Sequence, residues 1–172
     1  MRKIRHAVAM SVDGFIAGPN GEADWISNDP EVDFAEFWAQ FDTGVMGRRT
    51  YEAAVVRLGE KAFAGVAMVV FSRTMKQEDH PGVTVISEFD REWVEALRAK
   101  SGKDIWLFGG ARLFRTFLDA GCVDTVEVQV IPALLGDGVP LLPPPYTPAK
   151  LKLSSHRVYG SGRVALTYEV RR

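Results

Sequence analysis

A single cysteine, Cys122, is present in the 172-residue chain. An internal disulfide is therefore excluded, and the usage fits a reducing compartment. No apolar run approaches the roughly 20 residues that a membrane-spanning helix requires. The charged start Met1-Arg2-Lys3-Ile4-Arg5-His6 leads into an apolar run broken at Asp13-Gly14, which is not the shape of a secretory signal. Together these absences give the expectation of a cytoplasmic protein. Neither sign of charge is in excess, the formal net charge being −1. Nothing draws the chain as a whole to nucleic acid or to an anionic membrane, and any anion site must be local. His6, His80 and His156 lie far apart beside one thiol, so no zinc-ligand spacing exists and no metal is expected. The Gly-x-Gly-x-x-Gly fingerprint, the Walker P-loop and the Gly-x-Ser-x-Gly elbow are all missing, which removes three common routes to nucleotide or ester chemistry.

What is present is ordinary globular material, 47% apolar and 25% charged, enough for one domain spanning residues 1–172. Short β-branched runs predict strands at Ile4–Met10, Gly44–Met46, Val66–Phe71, Val83–Ile86, Ile105–Phe108 and Val123–Ile131. Helices are expected between them at Pro30–Phe41, Thr50–Leu58, Glu88–Lys100 and Ala111–Ala120. Asp29-Pro30 reads as the N-cap and first residue of the earliest helix. Its Phe34, Phe37, Trp38 and Phe41 share one face at spacings of three and four. Strand and helix alternate to about residue 120, so the fold class is α/β with a mainly parallel sheet. Leu151–Val158 and Val164–Val170 flank the turn Tyr159-Gly160-Ser161-Gly162 and read as a closing antiparallel hairpin.

Three strand-to-loop corners carry groups suited to anions. Gly47-Arg48-Arg49-Thr50 joins a strand to a helix start, where free amides and guanidinium groups can cradle phosphate; a plain turn with solvated arginines is the competing reading. Gly109-Gly110-Ala111-Arg112 follows an apolar strand, and paired glycines allow close approach of a pyrophosphate or close helix packing. Ser72-Arg73-Thr74 ends a third strand. Ligands of open α/β sheets gather at the carboxyl ends of strands, so the three corners outline one edge. Asp33, one turn from two phenylalanines, is the candidate acid if its carboxyl is desolvated; otherwise it only favours the helix start. Asp13 reads as a turn-shaping residue. Trp25, in a polar loop, can cover a ligand or anchor the loop.

The ordered set Val12-Asp13-Gly14-Phe15-Ile16-Ala17, Met46-Gly47-Arg48-Arg49-Thr50-Tyr51-Glu52, Phe71-Ser72-Arg73-Thr74, Phe108-Gly109-Gly110-Ala111-Arg112 and Pro132-Ala133-Leu134-Leu135-Gly136-Asp137-Gly138 resembles the dihydrofolate reductase superfamily. The resemblance is strongest to its branch containing the C-terminal reductase domain of the bifunctional riboflavin-biosynthesis deaminase-reductase, and it covers roughly residues 4 to 171. It implies a three-layer domain with a mixed, mainly parallel sheet and an antiparallel C-terminal hairpin.

It also implies NADPH as cofactor. Gly47, Arg48 and Thr50 match positions that hold cofactor phosphates. Ser72 and Arg73 match the corner around the adenosine 2′-phosphate. Gly109, Gly110, Ala111 and Arg112 match the pyrophosphate and nicotinamide side, with Ala111 where a third glycine is common. Asp33 matches the catalytic acid that precedes a phenylalanine, here Phe37, by four positions. Trp25 and Phe37 are the expected substrate contacts. The implied activity is hydride transfer to a small pterin- or pyrimidine-like heterocycle, with the phosphoribosylaminouracil reductase among the possibilities. A nucleotide- or ligand-binding protein that keeps the fold without turnover is the alternative. A homodimer is expected through the C-terminal strands and the Val123–Ile131 strand.

Overall fold

A computed structural model of the protein describes residues 1–59 and 63–171. Its elements follow in the order β1 (Ile4–Ser11), β2 (Phe15–Ala17), α1 (Phe34–Trp38), β3 (Phe41–Gly47), α2 (Arg48–Leu58), β4 (Ala67–Phe71), β5 (Thr84–Ile86), α3 (Arg91–Ala99), β6 (Asp104–Gly109), α4 (Ala111–Asp119), β7 (Thr125–Ile131), β8 (Val139–Pro140), β9 (Leu151–Val158) and β10 (Val164–Val170). An 8-stranded sheet runs β5-β4-β3-β6-β1-β7-β10-β9. From β5 to β7 every neighbour is parallel, whereas β10 is antiparallel to β7 and to β9. The architecture is the one the sequence resemblance implies, a mixed, mainly parallel sheet with helices on both faces and an antiparallel C-terminal hairpin.

Alternation along the strands builds both faces. Val45, Val69, Ile105 and Leu107 enter a cluster with Phe114 and Phe117 of α4 and with Val94 and Leu97 of α3. Their neighbours Met46, Met68 and Val70 turn the other way, onto Ala54 of α2. Trp106 joins Phe41 and Ala7, against which Phe37 and Trp38 of α1 pack. Parallel strands covered on both faces have to be apolar throughout, which is why Ile105–Phe108 has no polar alternation.

The first helix is much shorter than its pattern predicts. Asp33, not Asp29, is its N-cap, with Oδ1 accepting the Glu36 amide at 2.8 Å. Phe41 is already the first residue of β3. Three of the four aromatics form one cluster, with Phe37 at 5.1 Å from Phe41 and 5.9 Å from Trp106 between ring centroids and Trp38 beside them, while Phe34 stays exposed. Packing on that cluster is compatible with a helix running directly into a strand, so periodicity alone overstates the helix length.

Asp29 is buried for another reason. Its carboxylate accepts the Ser161 hydroxyl and the Glu31 amide, and it lies 4.0 Å from the Arg163 guanidinium. Arg163 also donates to the Ser27 carbonyl at 2.6 Å, and the Gly160 amide donates to Glu31 at 3.0 Å. The turn of the C-terminal hairpin thus clasps the segment leading into α1. The β2–β8 pair was not expected either; it folds the Pro132–Gly138 region back onto the first loop.

Candidate functional site

Because β1, β3, β4, β6 and β7 are parallel, their carboxyl ends share one edge, and the three anion-suited corners lie on adjacent strands of it. At the β3 corner Gly47 is the N-cap of α2, and at the β6 corner Gly110 is the N-cap of α4. Neither cap has a side-chain hydrogen bond and neither helix has an acid in its first turn. Each helix start therefore keeps free amides and an uncompensated positive dipole end. The corners touch: a Cβ at Gly47 would lie 4.0 Å from the Gly109 carbonyl, and one at Gly110 would lie 3.1 Å from Thr50 Oγ1. Gly109, at φ 110°, holds a conformation that side chains rarely adopt. The Gly109–Gly110 peptide is cis. Two amide-rich helix starts meet across glycines, a cradle that a Cβ at Gly110 would narrow.

Arg48 pairs with Glu52 at 2.9 Å across one exposed helical turn, a contact worth about 0.3–0.5 kcal/mol and easily exchanged for a ligand. Ser72 is buried. Its Oγ accepts the Thr74 and Met75 amides at 3.2 and 3.0 Å, so the hydroxyl shapes the corner and leaves Arg73 exposed at its tip. Ala111 is buried as the first residue of α4, and Arg112 is exposed beside it.

The edge has a split that sequence reading did not find. Pairing of β1 with β6 covers only Ile4↔Ile105 and Arg5↔Trp106, while β1 stays with β7 as far as Ser11↔Ile131. Where the ladder ends, side chains bridge it. The Trp106 indole donates to the Ala7 carbonyl at 3.0 Å, and His6 Nδ1 donates to the Leu107 carbonyl at 2.8 Å. A carbonyl only accepts, so the Nδ1 proton is required. The His6 ring stacks on Phe114 at 3.8 Å, and its Cε1 would stand 3.5 Å from a Gly109 Cβ. Burial holds the imidazole neutral, with its pKa lowered to about 4. A lone histidine in a strand pattern gives no hint of this, because its partner is a backbone carbonyl 101 residues away.

The loops beyond β1 close the other end of the edge. Asp13 takes the Ser11 hydroxyl at 2.6 Å and the Leu135 and Gly136 amides at 3.1 and 2.7 Å. These hydrogen bonds, that from Ser11 foremost, hold its carboxyl below the usual range. The turn-shaping role expected of Asp13 is the one it has. Asp33 is exposed, and Phe34 beside it is 48% exposed, so the desolvated carboxyl expected on this helix is not there. Phe37 is half-buried in the aromatic cluster, and half-buried Trp25 is anchored by its indole to the Glu22 carbonyl at 3.1 Å. Among the described residues no group of three or more potential ligands is placed to hold a metal ion, and no helix is long and apolar enough to cross a membrane.

The profile of the RibD C-terminal domain matches residues 2–165. The chain belongs to the RibD C-terminal domain family. Within the reach of that family, the uncharacterized protein YyaP of Bacillus subtilis (strain 168) is 35% identical over 178 residues, covering 97% of this chain and 94% of YyaP. A crystal structure from Shewanella sp. PV-4, of a candidate riboflavin biosynthesis protein, superposes with a TM-score of 0.85 at 26% identity over 100% of both chains. Dihydrofolate reductase of Enterococcus faecalis, solved in complex with NADP(H), superposes at 0.69 with 18% identity, over 99% of this chain and 97% of that one. The matched family is one of reductases, and dihydrofolate reductase shares its fold.

Proposed function

We propose that this protein is an NADPH-dependent reductase that transfers hydride to a small pterin- or pyrimidine-like heterocycle at the split between β1 and β6. The observation that carries the reading is the joint cradle of Gly47, Thr50, Gly109 and Gly110, where two uncapped helix starts meet beside the unpaired ends of two strands. Amides at helix starts suit a pyrophosphate. The cofactor, when bound, supplies the hydride. Arg48, Thr50 and Arg112 hold the phosphate-bearing body, with Ala111 giving a helix-start amide. Ser72 presents Arg73 to a 2′-phosphate, where a guanidinium matches the dianion. Asp33 orients the acceptor or relays a proton from solvent, and Trp25 and Phe37 wall the pocket. A cytoplasmic reaction fits the single thiol and a reductant of this kind.

A homodimer completes the reading. Every residue of β9 is exposed and its outer edge ends the sheet, a row of unpaired backbone groups that folded proteins cover. The strand β7, also expected at the interface, lies between β1 and β10 and has no free edge.

The experiment that tests the cofactor assignment is calorimetric titration with NADPH and NADH side by side, for the wild type and Arg73→Ala. The wild type should prefer NADPH, and the variant should lose about tenfold or more in NADPH affinity with little change for NADH. Equal losses for both would remove the 2′-phosphate assignment. Binding of neither nucleotide to the wild type would end the reductase reading.

A further inference from the structure

The carboxyl edge is divided by charge. At the ends of β3, β4 and β6 stand Arg48, Arg49, Arg73 and Arg112. At the ends of β1 and β7 the framing segments contain no cation at all. From His6 to Gly47 there is not one lysine or arginine, although Asp13, Glu22, Asp29 and Asp33 are among the carboxylates present. From Thr116 to Ala149 there is again no lysine or arginine. These two segments are joined to each other by the β2–β8 pair and by Asp13 on the Leu135 and Gly136 amides, so they form one wall over the part of the edge that the cofactor corners leave free.

The cations from other elements that meet this wall or its flanking turn have partners there. Arg57 donates to the Ala23 carbonyl at 3.1 Å and Arg115 to the Pro144 carbonyl at 3.1 Å. Arg163 is buried against Asp29 and Ser27, and Arg157 lies over the Tyr159 ring at 4.6 Å. The imidazole within the first segment, His6, is buried and neutral. What the wall does offer is aromatic surface, with Phe34 exposed and Phe15 and Trp25 half-buried.

A phosphate or carboxylate placed here would lose its hydration beside like charges, and neither segment carries a lysine or arginine to replace it. A flat ring would lose little, since aromatic faces accept it. We infer that the acceptor at this site carries no phosphate or carboxylate, and is a flat, unsaturated ring that is neutral or protonated. The anionic partner of the reaction is the cofactor alone, and the charge division keeps the two from exchanging places. This inference rests on the reductase reading and narrows its substrate to the unphosphorylated members of the pterin, pyrimidine and flavin-like classes.

Matched pairs test it. The NADP-loaded protein is titrated with riboflavin against FMN, and with 6-methyl-7,8-dihydropterin against 7,8-dihydrofolate, and NADPH oxidation by each is followed. The neutral member of at least one pair should bind or turn over about tenfold or more better than its anionic counterpart. The variant Phe15→Lys, which puts a cation on β2, should narrow that gap by raising the anionic member while NADPH affinity holds. Equal or better use of FMN or dihydrofolate by the wild type overturns the inference. Binding of none of the four, with NADPH still held, removes the flat-ring assignment. Failure to bind NADPH itself removes the cofactor reading beneath it.

Discussion

His6 and Asp33 show how far a residue's role depends on what surrounds it. The His6 imidazole is buried, neutral and stacked on Phe114, and Nε2 has no hydrogen-bond partner among the described residues. Its pKa falls from 6.5 to about 4 because burial disfavours the charged ring. The unfolded chain takes up this proton as pH drops below its ordinary value, and the folded chain does not. The contribution to stability is therefore complete above about pH 6.5 and lost progressively down to about pH 4, on the order of 3 kcal/mol in all. Melting temperature measured across this range should fall for the wild type and fall less for His6→Phe, which keeps the stack and cannot titrate. Parallel curves would show that other groups dominate acid unfolding.

Asp33 is solvated and works locally as an N-cap. As the orienting or proton-relaying group, it predicts that Asp33→Asn, which can still cap α1, leaves NADPH affinity unchanged. Turnover should drop by about 10²-fold or more. Unchanged turnover in steady-state assays with an accepted substrate would reduce Asp33 to a cap.

At the scale of elements, the connections matter more than the helices and strands themselves. The β2–β8 pair seats Gly138 at φ 154°, where a Cβ would overlap the Ala17 carbonyl. The contact is with backbone, so nothing flexible can yield. Gly138→Ala should destabilise the protein by more than about 1 kcal/mol by denaturant unfolding, and a neutral result would mean that the two loops are not held together as described. The hairpin clasp is similar in kind. Arg163→Met would remove the guanidinium beside buried Asp29 and the donor to the Ser27 carbonyl. Hydrogen exchange at residues 27–33 should accelerate while amides of β6 stay protected. In this way the C-terminal hairpin reaches the segment that carries Asp33.

On the scale of the whole molecule, the sheet has two unlike ends. The β5 end is a three-residue strand, Thr84–Ile86, and short edge strands offer little to pair with. The β9 end spans eight residues, with Leu153 48% and Val158 68% exposed. Pairing or packing of β9 against a second copy would cover both the backbone edge and these side chains. Sedimentation of the wild type should give a dimer, and Leu153→Lys with Val158→Lys should shift it to monomer while NADPH binding persists. A monomeric wild type at micromolar concentration would leave β9 a solvated edge.

Most strands of the large sheet, the α2, α3 and α4 helices, the closing hairpin and the order of the family motifs were legible in the residues, because each depends on periodicity or on a glycine within a few positions; β2 and β8 were not. Val123–Ile131 reads as a strand for the same reason, but its place inside the sheet is a matter of topology. The meeting of the two glycine corners in one cradle required β3 and β6 to be neighbours, and nothing local dictates that Thr50 stands over Gly110. The length of α1, the burial of Asp29 and the neutral His6 were decided by partners about 70 to 130 residues away. Local sequence determined which elements form and which loops bear charge. Only the tertiary structure decided which of those loops meet, since strand order and the split between β1 and β6 arise from packing both sheet faces at once.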